Sequence, residues 1–242
     1  MFSEHTSIIT PKESAVVWRY MPMDKFLFLV TTSKLYFCRS DRFKDPWEGT
    51  WPKQIIDSMR SDEVLQQNSE NKDALLRLSD AFKNIIYLNC WYCGSHQSAA
   101  MWELYGMSGA SIAIKSTIEK LKKGILCKEN VYIGKVEYID YEKDTLHELN
   151  SLLPYFIKRK SFEHEQEVRI LMIDIPEAGT RIDKNLKEGV LVNIDFKTLI
   201  DVVYISPSAP KWLKNTIQII LNTFGYGEIL VKESELYAPH NY

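Results

Sequence analysis

The stretch EVRILMIDIPEAGTRIDKNLKEGVLVNIDFKTLIDVVYI (residues 167–205) reads as three strands in succession: Glu167 to Ile175, Gly189 to Ile194 and Leu199 to Ile205. Each is short, rich in aliphatic and β-branched side chains, and set off by turn-forming residues. Strands that follow one another directly do not build βαβ units, so the pattern favours α+β over a doubly wound fold.

Working outward, further strands are expected at AVVWRYM (15–21), Lys34–Cys38, Ile85–Trp91, Ala110–Ile114, Asn130–Tyr141 and Glu228–Lys232. Helical spacing is expected over Asp24–Leu29, Ser98–Tyr105 (stopped by Gly106), Thr117–Lys123, Thr145–Lys158 and Pro210–Phe224. Lys53 to Lys83 reads as two helices broken by the polar run Gln66–Asp73, a helical insertion. With no Ser/Gly-rich linker, repeat or low-complexity tract, residues 1–242 are expected to form one α+β domain. Its sheet should be mixed or mainly antiparallel, flanked by helices.

The 242 residues are 45% hydrophobic and 26% charged, with a net charge of −2. That balance excludes a generic polyanion binder, so any nucleic-acid contact has to come from a local basic cluster. Two runs qualify: Lys115 to Lys128 and Lys158-Arg159-Lys160, each readable equally as a solvated face. The second is the candidate nucleic-acid contact. Four cysteines do not make a disulfide framework; Cys90-Trp-Tyr-Cys93 lacks a second ligand pair and reads as core strand, so no metal is expected. MFSEHTSIITPKES has no signal-peptide pattern and no apolar run reaches membrane-spanning length, so a cytoplasmic protein without a membrane partner is expected.

Chemistry is expected around FEHEQEVRI (162–170). On a strand, period two puts Glu165, Glu167 and Arg169 on one face, followed by Leu171, Ile173 and Ile175: a charged mouth on an apolar body. Two such carboxylates repel, which raises one pKa unless a cation compensates, and such a pair can steady an oxocarbenium-like transition state. A salt-bridge ladder, or a helix with i, i+4 ion pairs, is the competing reading. A second group is Ser98, Trp102 and Tyr105, one helical face suited to stacking a flat ring; Ser98 as an N-cap and Trp102 as core filler compete. The third joins Arg19 and Tyr20 with the turn Asp45-Pro-Trp-Glu48-Gly49. Arg19, in an otherwise apolar strand, needs an anionic partner: Asp45, Glu48 or a ligand phosphate.

In order, WRY, LYFCRSDRFKDPWEG, NCWYC…SAAMWELYG and FEHEQEVRI resemble the bacterial family called domain of unknown function 2971. The resemblance runs from Val17 to Ile173, departing at Phe162, where many relatives carry Trp, and at the Cys-Trp-Tyr-Cys segment. It implies a mobile-element or antiphage defence setting. The same motifs are similar to ADP-ribosyltransferase-like folds, which grip NAD or a nucleotide and break an N-glycosidic bond. By that similarity Arg19 would hold a phosphate, Ser98 and Tyr105 would line the base pocket, and Glu167 would steady the cation.

The expected function is therefore an antiviral-defence enzyme acting on an N-glycosidic bond of a nucleotide or nucleic acid, with no cofactor and NAD a candidate substrate. Glu165 and Glu167 are the candidate catalytic residues. Arg19, Tyr20, Asp45, Glu48, Ser98, Trp102, Tyr105 and Arg169 are the candidate substrate-binding residues. The alternatives are a non-catalytic sensor or interaction module, and a nuclease whose metal would draw together Asp45, Glu48, Glu165 and Glu167.

Overall fold

A computed structural model describes residues 2–61, 80–105, 110–146, 148–175 and 187–237. The chain is α+β, built on a large and mainly antiparallel sheet.

Strand β3 (Ile86–Cys93) is the axis of that sheet. Along one edge it pairs with β9 (Glu167–Ile173) from Ile86 to Tyr92, and β9 in turn pairs with β6 (Val131–Lys135). Its other edge is shared. β2 (Lys34–Arg39) pairs at Tyr87 and Leu88, and β1 (Val16–Pro22) at Tyr92 and Cys93. Beyond β1 lie β4 (Ser111–Thr117), β11 (Val202–Ile205) and, parallel to β11, β12 (Leu230–Glu233). Beyond β2 lie β10 (Gly189–Ile194) and the short β5 (Ile125–Leu126).

The sheet thus forks along one edge of β3, where Asn89, Cys90 and Trp91 have no strand partner among the described residues. Backbone groups left without a ladder must be satisfied otherwise. Arg19 Nη1 donates to the Cys90 carbonyl at 2.7 Å, and Asn89 Nδ2 donates across the gap to the Tyr36 carbonyl at 2.9 Å.

Helix α1 (Met23–Thr32) joins the arms of the fork, burying Phe26, Leu29 and Val30 at i, i+3, i+4. It ends where Ser33 turns left-handed (φ 50°) and its N–H closes on the Leu29 carbonyl. Helix α2 covers Lys53–Ser61; the rest of the expected helical insertion falls largely outside the described residues. Helices α3 (Ala99–Tyr105), α4 (Ile118–Gly124), α5 (Phe196–Leu199) and α6 (Trp212–Thr223) follow. The larger core cluster joins α1, α4 and α6 to the sheet through residues such as Phe26, Leu121, Ile217 and Ile170. A second cluster holds Leu88, Leu171, Tyr155 and Phe156 on the opposite face. β9, buried on both faces, separates them: Val168, Ile170 and Met172 point one way, Glu167, Arg169 and Leu171 the other.

Three expectations are corrected. Thr145–Lys158 is not a helix. Pro154 opens a 3-10 turn (Leu153–Tyr155), and the chain then extends into β8 (Ile157–Arg159), parallel to β7 (Glu137–Ile139). A proline inside a helix would lose a hydrogen bond and clash with the preceding turn, and the apolar spacing serves the second core cluster. Asn130–Tyr141 is two strands, because Val136 leaves the ladder between β6 and β7. Leu199–Ile205 begins as the end of a short helix capped by Asp195, whose side chain accepts from Thr198 N, so β11 starts at Val202.

Among the described residues, no helix is long and apolar enough to cross a membrane.

Candidate functional site

The fork leaves a cleft of about 970 Å³ between β1, β2 and α1, floored by the start of β9 and the loops around it. The floor is an ion cluster. Glu48 arrives on the Asp45–Gly49 turn, where Asp45 Oδ1 accepts from Trp47 N and Gly49 takes φ +69° to let Tyr155 pack against it. Lys158 arrives on β8. Glu165 ends the 3-10 turn Lys160–Glu165, and Gln166, left-handed at φ 40°, returns the chain so that Glu167 opens β9 beside it.

Lys158 Nζ lies 2.7 Å from Glu165 Oε2, 3.3 Å from Glu48 Oε1 and 3.5 Å from Glu167 Oε1. Arg169 is fully buried and grips Glu167 Oε2 through Nε (2.9 Å) and Nη2 (2.6 Å). Its Nη1 donates to the Tyr155 carbonyl at 2.8 Å and also stands 2.7 Å from Glu48 Oε2. That last contact is ionic without hydrogen-bond alignment, and Glu48 Oε2 has no aligned donor among the described residues. Opposite Arg169, Gly134 of β6 has no side chain, because a Cβ there would collide with Ile8 and Phe156.

Three carboxylates against two cations, all buried, cannot ionise alike. Burial and the charge of Glu167 push the Glu165 carboxyl up to about 7, although Lys158 opposes the rise. Burial would raise Glu167 too, but Arg169 and Lys158 outweigh it and hold that carboxyl far below the usual range. Burial would lower the Lys158 ammonium, yet Glu167 and Glu48 keep it firmly protonated. At neutral pH the floor therefore carries a fixed anion beside a carboxyl poised to give or take a proton.

Arg19 lines the cleft on β1. Neither carboxylate named for it is available: Asp45 pairs with Arg159 (2.9 Å), and Glu48 is held by Lys158 and Arg169. Among the described residues Arg19 has no acidic partner within ion-pair distance; its contacts are the Cys90 carbonyl and the Trp91 ring. Arg19 is half-buried, and that burial lowers its guanidinium pKa. Tyr105, on the last turn of α3, also lines the cleft and stays 43% exposed.

Other candidates fall elsewhere. Trp102 is buried edge-on against Tyr20 (4.9 Å) and donates to Gln97, so it packs the core. The Ser98 hydroxyl accepts from Met101 N at 3.3 Å, as a helix cap does, while Ser98 N donates to Tyr20 Oη. Tyr20, otherwise buried, contributes to the cleft wall. Ile175 is 75% exposed beyond the end of β9, so only Leu171 and Ile173 continue the charged face. Cys90 and Cys93, three apart on a strand, point to opposite faces.

Lys158-Arg159-Lys160 does not present three free cations to solvent. Lys158 belongs to the floor, Arg159 is bonded to Asp45 and stacked near Phe162, and Lys160 pairs with Asp144. Glu48, Glu165 and Glu167 do converge, but on an ammonium, and the described residues contain no metal-type grouping of His, Cys, Asp and Glu. The sequence reading missed Lys158 as a floor residue; its place between Ile157 and Arg159, in a run that opens Tyr155-Phe156-Ile157, was the available signal. It also missed Phe28, Tyr36 and Lys34 on the cleft wall, which nothing in their local sequence connects to FEHEQEVRI.

Comparison of the chain with family models, with curated proteins and with solved structures gives no match in any of the three.

Proposed function

We propose that the forked cleft is the active site of an enzyme that breaks an N-glycosidic bond, in a nucleotide such as NAD or in a nucleotide of a nucleic acid. The observation that carries this reading is the geometry of two buried glutamates around one lysine: both share Lys158, but Arg169 grips Glu167 alone, which holds Glu167 down as an anion and leaves Glu165 raised by burial and by its neighbour's charge. A pair of titratable groups driven apart by its surroundings is how acid–base roles are divided. The C1′–N bond would break with its electron pair leaving on the base. Glu167 would steady the cation left at C1′, and a water would add there while Glu165 takes its proton. Arg19, with no carboxylate partner among the described residues, would hold a substrate phosphate, and Tyr105 would stack on the departing ring. An ADP-ribosyltransferase-like arrangement and a defence setting are the context suggested by the motif resemblance.

The test is release of nicotinamide from NAD, or of free base from phage DNA, read by mass spectrometry. Glu165→Gln should reduce release by about 10²-fold or more, and the wild-type rate should rise with pH through about 7 as Glu165 loses its proton. No product from either substrate, or an undiminished variant, refutes the reading.

One observation favours a non-catalytic module instead: the buried Arg169 spends its donors on Glu167 and the Tyr155 carbonyl, within the protein, as a structural network would. On that reading no substrate yields product, and these residues matter for stability alone.

A further inference from the structure

The mouth of the cleft differs from its floor. Of the described acidic residues lining the cleft, all but Asp24 are engaged by Lys158, Arg159 or Arg169. The remaining cations are Arg19, Lys25, Lys34 and Lys44, none with a carboxylate in ion-pair range among the described residues. The rim is therefore positive although the protein as a whole is slightly negative.

Exposed apolar side chains line the same cleft as these lysines. Phe28, three residues after Lys25 on α1, is 41% exposed; Tyr36, two after Lys34 on β2, is 45% exposed; Leu191, opposite Tyr36 on β10, is 48% exposed. The Tyr36 ring lies across Gly189, where a Cβ would collide with it, so the strand beneath leaves room for that ring to lie flat. An open aromatic face beside unpaired cations suits alternating bases and phosphates better than it suits a compact ligand enclosed by the cleft.

We propose that the cleft mouth binds a single-stranded polynucleotide, with phosphates on Lys25, Lys34 and Lys44 and a base stacked on Tyr36, delivering one nucleotide inward past Arg19. This rests on the glycosidic reading of the floor and narrows its substrate from nucleotides in general to a nucleotide within an unpaired strand.

The experiment is fluorescence anisotropy on the full chain, with labelled DNA and RNA strands of about twelve nucleotides, their duplexes, and NAD as competitor, from about 50 to 200 mM salt. Single strands should bind more tightly than duplexes. Lys25→Ala/Lys34→Ala/Lys44→Ala should weaken binding and flatten the dependence of log affinity on log salt by about 2. Tyr36→Ala should weaken it about tenfold. Comparison of the DNA and RNA arms identifies the sugar. Duplex binding equal to single-strand binding, an unchanged salt slope in the triple variant, or no strand binding would overturn the proposal.

Glu165→Gln separates the two claims, since it removes the chemistry and leaves the rim. Strand binding with the lysine-dependent slope, without base release from any substrate, sinks the glycosidic reading and keeps this one. Nicotinamide release from NAD without strand binding does the reverse.

Discussion

Replacing Glu165 by Gln should make the protein more stable at alkaline pH, not less. Glu165 is 7% exposed, beside Glu167, with the Lys158 ammonium 2.7 Å away. An unfolded glutamate titrates near about 4.3. In the fold this carboxyl titrates at about 7. Between those values the folded chain retains a proton that the unfolded chain has released. Wild-type stability therefore falls as pH rises through that window, by up to about 1.4 kcal/mol per pH unit, and levels off above it. Over the window this amounts to about 3–4 kcal/mol of unfavourable ionisation. Gln keeps the shape and an acceptor for Lys158 but loses the charge-assisted part of that bond, about 1–2 kcal/mol. The net expectation is a variant about 1–3 kcal/mol more stable than wild type at pH 8 and no more stable at pH 5. Urea unfolding followed by tryptophan fluorescence at both pH values measures this directly. A variant less stable at pH 8, or a difference that is the same at both, would refute the electrostatic account of the floor. A glutamate retained against stability is also what a working group, as opposed to a structural one, leads one to expect.

The other perturbations run in the opposite direction. Lys158→Met leaves three buried glutamates facing Arg169 alone and should lose about 3–5 kcal/mol at pH 7, with part recovered by adding Glu165→Gln; an equilibrium loss below about 1 kcal/mol would contradict the cluster. Glu167→Gln leaves one oxygen to accept from Arg169 but removes the buried negative charge and turns an amide donor toward a buried cation, so it should lower the melting temperature and loosen the fold, which makes it a poorer test of catalysis than Glu165→Gln. Gly134→Ala drives a methyl group into Ile8 and Phe156 and should cost about 1–3 kcal/mol, read as a lower urea midpoint at unchanged slope.

Fold class was legible because strand alternation and helical spacing are local properties. Three strands in succession from residue 167 onward required no tertiary information to argue against a doubly wound sheet. The same locality explains the misreading of Thr145–Lys158: its leucines have helical spacing, but Pro154 and the core cluster that Leu152, Tyr155 and Phe156 enter settled the conformation. Glu165, Glu167 and Arg169 were marked by charge in an apolar run, and they do meet, although through a left-handed turn at Gln166 and not along one continuous strand.

What FEHEQEVRI faces could not be read from its own residues. Glu48 is more than a hundred residues away in the chain, and it meets Arg169 only because β3 carries β9 on one edge and a fork on the other. Whether Arg19 had a carboxylate depended on which cations claimed Asp45 and Glu48 first, a competition among buried charges that exists only once the chain has folded. By itself, then, the sequence determined that this is an α+β chain with charge planted in a core strand. The tertiary structure decided that the charge forms the floor of a cleft, because desolvation and proximity, which set the state of each ionisable group, are properties of packing.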